Sequence, residues 1–102
     1  MKYRTSAAFE SQYRALSDRE RELFRAAVAA INEAYAQRGE AALPIWPARL
    51  RIKPVVDAPG IWEMTWSCSG PAGRATFAFF QAGDATGIFW RRIGTHRIFR
   101  NP

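Results

Sequence analysis

Two hydrophobic periods divide this chain near residue 49: apolar residues first recur every three or four positions and then alternate with polar ones. The opening Met1-Lys-Tyr-Arg-Thr5 already alternates, which predicts a short strand, and Ser6 stands where a helix N-cap belongs. Phe9, Tyr13 and Leu16 then form one apolar stripe, with Glu10, Gln12 and Arg14 expected to face outward. Ser17-Asp-Arg-Glu20 is a capping-box pattern, because a serine hydroxyl and a glutamate three residues later can each satisfy an orphan amide at a helix start. Leu23, Phe24, Ala27, Val28, Ile31 and Tyr35 continue at helical spacing to a stop at Gly39, so a helical hairpin is predicted. Pro44 and Pro47 make Ala42 to Pro47 an extended connection.

From Arg49 the pattern is that of a sheet. Arg49, Arg51 and Lys53 are expected on one face of a strand that shows Leu50 and Ile52 on the other, and Asp57-Ala-Pro-Gly60 turns the chain. Ile61 to Ser67 is the next predicted strand, with Trp62, Met64 and Trp66 opposite Glu63, Thr65 and Ser67. A turn from Ser69 to Gly73 leads into Arg74 to Phe80, where Ala75, Phe77 and Phe79 alternate with Arg74, Thr76 and Ala78. Gln81 to Gly87 reads as a polar turn, and Ile88-Phe-Trp90 opens an almost continuously apolar strand. The expectation is a single α+β domain over residues 1–102, with two helices packed on one face of an antiparallel sheet of four or five strands.

Composition narrows the class. At 102 residues, 48% hydrophobic and 14% aromatic, the chain suffices for one core of two packed layers. No apolar run approaches the roughly 20 residues that span a membrane, so no membrane partner is expected. The single cysteine, Cys68, excludes an internal disulfide and is expected as a small core residue. With no apolar signal core after Met1, this points to the cytoplasm. A net charge of +6 suits nucleic acid or an acidic protein. Apart from Lys2 and Lys53 every basic residue is arginine, whose planar fork matches phosphate oxygens. Arg91, Arg92, Arg97 and Arg100 surround the only histidine, His96, with no acid among them, so an anionic backbone is their natural partner.

The order strand, helical hairpin, antiparallel strands, together with Gly60-Ile-Trp-Glu63, Gly73-Arg74 and Ile93-Gly-Thr-His96, resembles the RelE/ParE superfamily of bacterial toxins over nearly the whole chain. The resemblance implies a RelE-like fold, a cognate antitoxin bound in a toxin–antitoxin hetero-oligomer, and one of two actions. Ribosome-dependent members cleave messenger RNA in the decoding site, and ParE-like members inhibit DNA gyrase. Ribosome-dependent cleavage is the expected activity here, and a gyrase inhibitor or a catalytically silent RNA- or protein-binding relative is the alternative.

RNA cleavage requires that a ribose 2′-hydroxyl lose a proton, a phosphorane be stabilised and a leaving oxygen gain a proton. Arg74, which matches the arginine that RelE-like nucleases carry at the start of this strand, is the candidate phosphate clamp. His96 is the candidate acid or base, since its kind titrates near neutrality. Glu63 shares the face of Arg74 by strand parity and is a candidate base or orienting group. Each has a plainer role open to it: Arg74 and Glu63 as a cross-strand pair, His96 as a surface residue. The row Arg49, Arg51, Lys53 and the cluster Arg91, Arg92, Arg97, Arg100 are expected to face RNA; Trp46, Trp62, Trp66 and Trp90 could stack on bases, but aromatic strand residues are more often core, and the core is expected for them. No His, Cys or carboxylate group has metal-ligand spacing, so neither metal nor cofactor is expected. Two departures stand against the resemblance. No tyrosine follows His96, where nucleases of the YoeB type carry one, and the lysine-rich acid/base set of RelE is missing.

Overall fold

One serine joins the first strand to the first helix and fastens both to the last strand. The Ser6 hydroxyl accepts the Phe9 amide at 3.0 Å and donates to the Arg91 carbonyl at 2.6 Å, while the Ser6 amide reaches the Trp90 carbonyl at 3.0 Å. The computed structural model describes residues 1–68 and 72–102. It runs β1 (Lys2–Thr5), α1 (Ala7–Arg14), α2 (Asp18–Ala36), a 3-10 turn (Ala48–Leu50), β2 (Lys53–Pro54), β3 (Trp62–Ser67), β4 (Gly73–Ala82), β5 (Ala85–Gly94) and a second 3-10 turn (His96–Arg100).

The capping box forms as its spacing requires. The Glu20 amide donates to the Ser17 hydroxyl at 3.1 Å, and the Glu20 carboxylate accepts the Ser17 amide at 2.8 Å, which holds the Glu20 carboxyl below its ordinary pKa. The far end of α2 is followed by Gly39 at φ +65°, a conformation in which glycine carries no Cβ penalty. The apolar stripe of the hairpin packs on the sheet: Phe9, Phe24, Ala27 and Ile31 join Met64, Trp66, Phe77, Ile88 and Trp90 in one buried cluster. The Phe24 ring meets Trp90 at 5.1 Å and Trp66 at 6.3 Å, both edge-on, the arrangement that aromatic quadrupoles favour. Gln12 does not face outward as α1 parity implies; its carbonyl oxygen turns in to accept the Ile93 amide at 3.0 Å.

The five strands lie in the order β1-β5-β4-β3-β2. The sheet is antiparallel except that β1 runs parallel to β5; the helical hairpin carries the chain from the β1 edge to the β2 edge, and β3, β4 and β5 then return across the sheet. Two sequence expectations are corrected. Arg49 to Lys53 is not a strand row, for the chain makes the 3-10 turn Ala48–Leu50, places Arg51 at φ +48° and leaves only Lys53 and Pro54 paired with β3. Tertiary packing is the main cause: Leu50 is drawn into the core at 2% exposure, and Pro54 has no amide to extend the ladder. The turn expected at Gln81 to Gly87 shrinks to Gly83-Asp84, because Gln81 and Thr86 face each other across the ladder and bond at 3.2 Å, side chain to side chain. The turn expected from Ser69 to Gly73 falls largely outside the described residues.

Candidate functional site

The sheet has a second face, turned away from the helices, and the strand register decides what stands on it. Glu63 pairs with Thr76 and Thr65 with Arg74 across β3 and β4; Thr76 then pairs with Arg92 and Arg74 with Gly94 across β4 and β5. These residues share one face, opposite the side that carries Met64, Ala75 and Ile93 into the core. A bulge lies between Thr76 and Phe77, whose partners on β5 are Arg92 and Trp90, leaving Arg91 as the extra residue. Arg91 reaches the same face, since its Nε donates to the Pro102 carbonyl at 3.0 Å, an acceptor shared with the Thr76 hydroxyl at 3.0 Å. Two consecutive arginines thus stand on one side, which simple alternation forbids.

The C-terminal segment folds back over this face. Ile98 is buried at 8% exposure beside Gly94, where an added Cβ would lie 3.2 Å from the Ile98 side chain, and Thr76 beneath the segment is fully buried. His96 opens the 3-10 turn that follows β5, exposed, with its ring 5.0 Å from Phe99 and edge-on to it. Because Arg74 pairs with Gly94, the arginine and the histidine-bearing turn lie at the same end of the face. Arg97 and Arg100 are exposed on that turn.

Arg74 is half-buried and bonds the Gly73 carbonyl at 3.3 Å through one terminal nitrogen; among the described residues no carboxylate pairs with it. The cross-strand pair with Glu63 is therefore not formed. Glu63 instead lies 3.8 Å from Lys53 on β2, at the sheet edge. Arg74, Arg91 and Arg92 leave most of their forked donors uncommitted to acids, which suits them to phosphate oxygens. Arg49 and Arg51 are exposed beside β2 on the 3-10 turn and its left-handed exit, set apart from the sheet rungs that carry Arg74 and Arg92. Cys68 is exposed just past the end of β3 and is not a core residue, because the ladder that would bury it stops at Ser67. Among the described residues no three His, Cys, Asp or Glu side chains come together as a metal site would require.

Sequence reasoning missed Arg4 and Phe80. The Arg4 guanidinium carbon lies 4.4 Å from the Phe80 ring centroid, on the same sheet face. Strand parity carried the signal, since Phe80 falls in step with Thr76 and Ala78 and out of step with Phe77 and Phe79. A groove of about 610 Å³ opens on the other side of β1, lined by Tyr3, Phe9, Tyr13, Val28 and Trp90. Lys2 borders it as well, but Arg74, His96, Glu63 and the arginine cluster of residues 91–100 do not.

The fold is similar to that of the YoeB/ParE toxin from Agrobacterium tumefaciens, with a TM-score of 0.61 and 14% sequence identity over 94% of this chain and 99% of that one. The chain shares that protein's fold, the α+β architecture that the family resemblance implied. No protein-family model and no curated protein matches the sequence.

Proposed function

We propose that this chain is the toxin of a toxin–antitoxin pair and that it cuts messenger RNA on the ribosome. One observation carries the proposal: a half-buried arginine with no acidic partner among the described residues stands across the ladder from Gly94, at the end of the sheet where the chain's only histidine leaves it. In this reading Arg74 holds the scissile phosphate and stabilises the charge that builds on its oxygens. His96 moves the proton. The ribose 2′-oxygen attacks phosphorus as it loses its proton, the bond to the 5′-oxygen breaks, and that oxygen leaves protonated, giving a cyclic phosphate and a 5′-hydroxyl. Glu63, paired with Lys53, is the base or the group that orients the ribose. Arg91, Arg92, Arg97, Arg100, Arg49, Arg51 and Lys53 steer and hold the RNA backbone, a sequence-independent role.

The partner in this reading is an antitoxin, an acidic protein that covers the basic sheet face or its edges. Support comes from the net charge of +6 and from β1, an edge strand whose exposed Tyr3 borders the apolar groove. Overproduction of the chain alone should arrest growth and co-expression of the antitoxin should relieve it; unchanged growth with soluble, folded protein removes the toxin reading.

The ParE-like alternative draws on two observations: Glu63 is engaged by Lys53, and no tyrosine follows His96. In that case the cations dock on gyrase, and neither Arg74 nor His96 is needed for chemistry. Inhibition of supercoiling by purified protein that leaves messenger RNA intact would select it.

A further inference from the structure

The open sheet face extends beyond Arg74. Along β4 its side-chain positions run Arg74, Thr76, Ala78, Phe80, about 20 Å at the ordinary strand rise. The C-terminal segment covers the Thr76 end, whereas Ala78, Phe80 and Phe89 remain half-exposed and Lys2 and Arg4 are exposed. Helices bury the other layer, so aromatic rings here do not serve the core cluster.

The rings on this face are held in place by their neighbours in the sheet. Phe80 lies directly on Gly87, its partner in β5, where an added Cβ would meet the ring at 2.2 Å. Arg4, on β1 beside Phe89, extends its guanidinium over the Phe80 ring at 4.4 Å. A planar guanidinium fixed on an aromatic ring can stack on a base or grip a phosphate without first losing rotamer freedom. Charge agrees: Lys2, Arg4, Arg74, Arg91 and Arg92 share this face with one carboxylate, Glu63, already paired to Lys53.

We propose that Arg4, Phe80 and Phe89 form a second subsite for single-stranded RNA, in which an unpaired base stacks on the Arg4–Phe80 pair while Lys2 and Arg4 hold its phosphates. The subsite rests on the RNA-cleaving reading and adds a path for the strand across the sheet from the Arg74 end. Several cations interleaved with exposed rings on an open sheet are what unstructured RNA recognises, since every base has a face to stack and every nucleotide a charge to neutralise.

The test uses the whole chain without ribosomes and a 2′-O-methyl RNA of about 12 nucleotides, which has no 2′-hydroxyl to attack and carries one 2-aminopurine to report stacking. Arg4→Ala and Phe80→Leu should each weaken binding about fivefold or more and abolish the stacking signal. Arg4→Lys should keep the salt dependence of the parent but not the stacking signal, while Arg19→Ala, on the exposed surface of α2, should change affinity less than about twofold. Arg4 is exposed, so its substitution keeps the test valid if Phe80→Leu disturbs folding. Parent-like RNA binding by Arg4→Ala overturns the proposal, as does a loss no larger than that of Arg19→Ala. If Arg4→Ala binds RNA normally but loses an acidic protein partner, the surface is a protein interface and the proposal also fails. If the subsite behaves as expected while programmed ribosomes stay uncut, the subsite stands and the cleavage reading falls. If ribosomes are cut while Arg4→Ala binds RNA like the parent, cleavage stands and the subsite falls.

Discussion

Gly73 is where the core and the candidate site touch, and Gly73→Ala should disturb both. The glycine is buried at the start of β4, next to Arg74, and a Cβ built on it would lie 2.5 Å from two atoms of the Trp66 indole and 2.7 Å from a third. Trp66 is 7% exposed, packed edge-on against Phe24, and its Nε1 donates to the Arg74 carbonyl at 2.9 Å. The ring cannot slide away without leaving that contact, so the methyl group forces overpacking, worth about 1 to 3 kcal/mol, and strains or breaks a hydrogen bond worth about 1 kcal/mol. A total of about 2 to 4 kcal/mol would lower Tm by roughly 10 to 25 °C in a domain of this size. Denaturant unfolding followed by tryptophan fluorescence measures it, with Gly39→Ala as the control. Gly39 has φ +65° and nothing within 4 Å of an added Cβ, so only backbone strain of about 1 kcal/mol applies. A Gly73→Ala cost under about 0.5 kcal/mol would refute the packing argument, because a surface change typically costs no more.

Four further outcomes are expected. Ser17→Ala should cost about 1 kcal/mol near neutral pH. Because the folded-state pKa of Glu20 lies below its unfolded value, the part carried by the Glu20 carboxylate is complete above the ordinary carboxylate pKa and is lost as pH falls through the lowered one. Glu20→Gln should thus be destabilised at pH 7 and converge on the parent in acid, and a gap that persists in acid would contradict this. Thr76→Val removes the donor to the Pro102 carbonyl from a fully buried position; it should cost about 1 kcal/mol and speed amide exchange in residues 95–101, and unchanged exchange would show that the segment is held by other means. Arg74→Ala and His96→Ala should leave thermal stability near that of the parent, since neither side chain belongs to the core cluster; large Tm losses would make them structural residues.

Where a side chain's direction follows from local covalent geometry, it was legible in the sequence. The Ser6 cap, the Ser17–Glu20 box, the helical stripe and the common face of Glu63 and Arg74 all follow from 3.6- and 2-residue periods and are present. What failed depended on distant partners. Gln12 turns inward because an amide of β5 needs an acceptor, and Arg49 to Lys53 coils because the core claims Leu50. Alternation alone would have sent Arg91 and Arg92 to opposite faces; a bulge, set by pairing with β4, brings them together. Parity located Glu63 beside Arg74 but not its ion pair with Lys53, which depends on where β2 docks.

Primer extension on messenger RNA in programmed ribosomes, with parent, Arg74→Ala and His96→Ala proteins of equal folded content, tests the cleavage proposal most directly. The parent should leave discrete cuts in the decoding site, and each variant should cut about 100- to 1,000-fold more slowly, the usual cost of removing a group that acts on the transition state. Variants that cut as fast as the parent would show that the site is misplaced, and a folded parent that never cuts would contradict ribosomal cleavage itself.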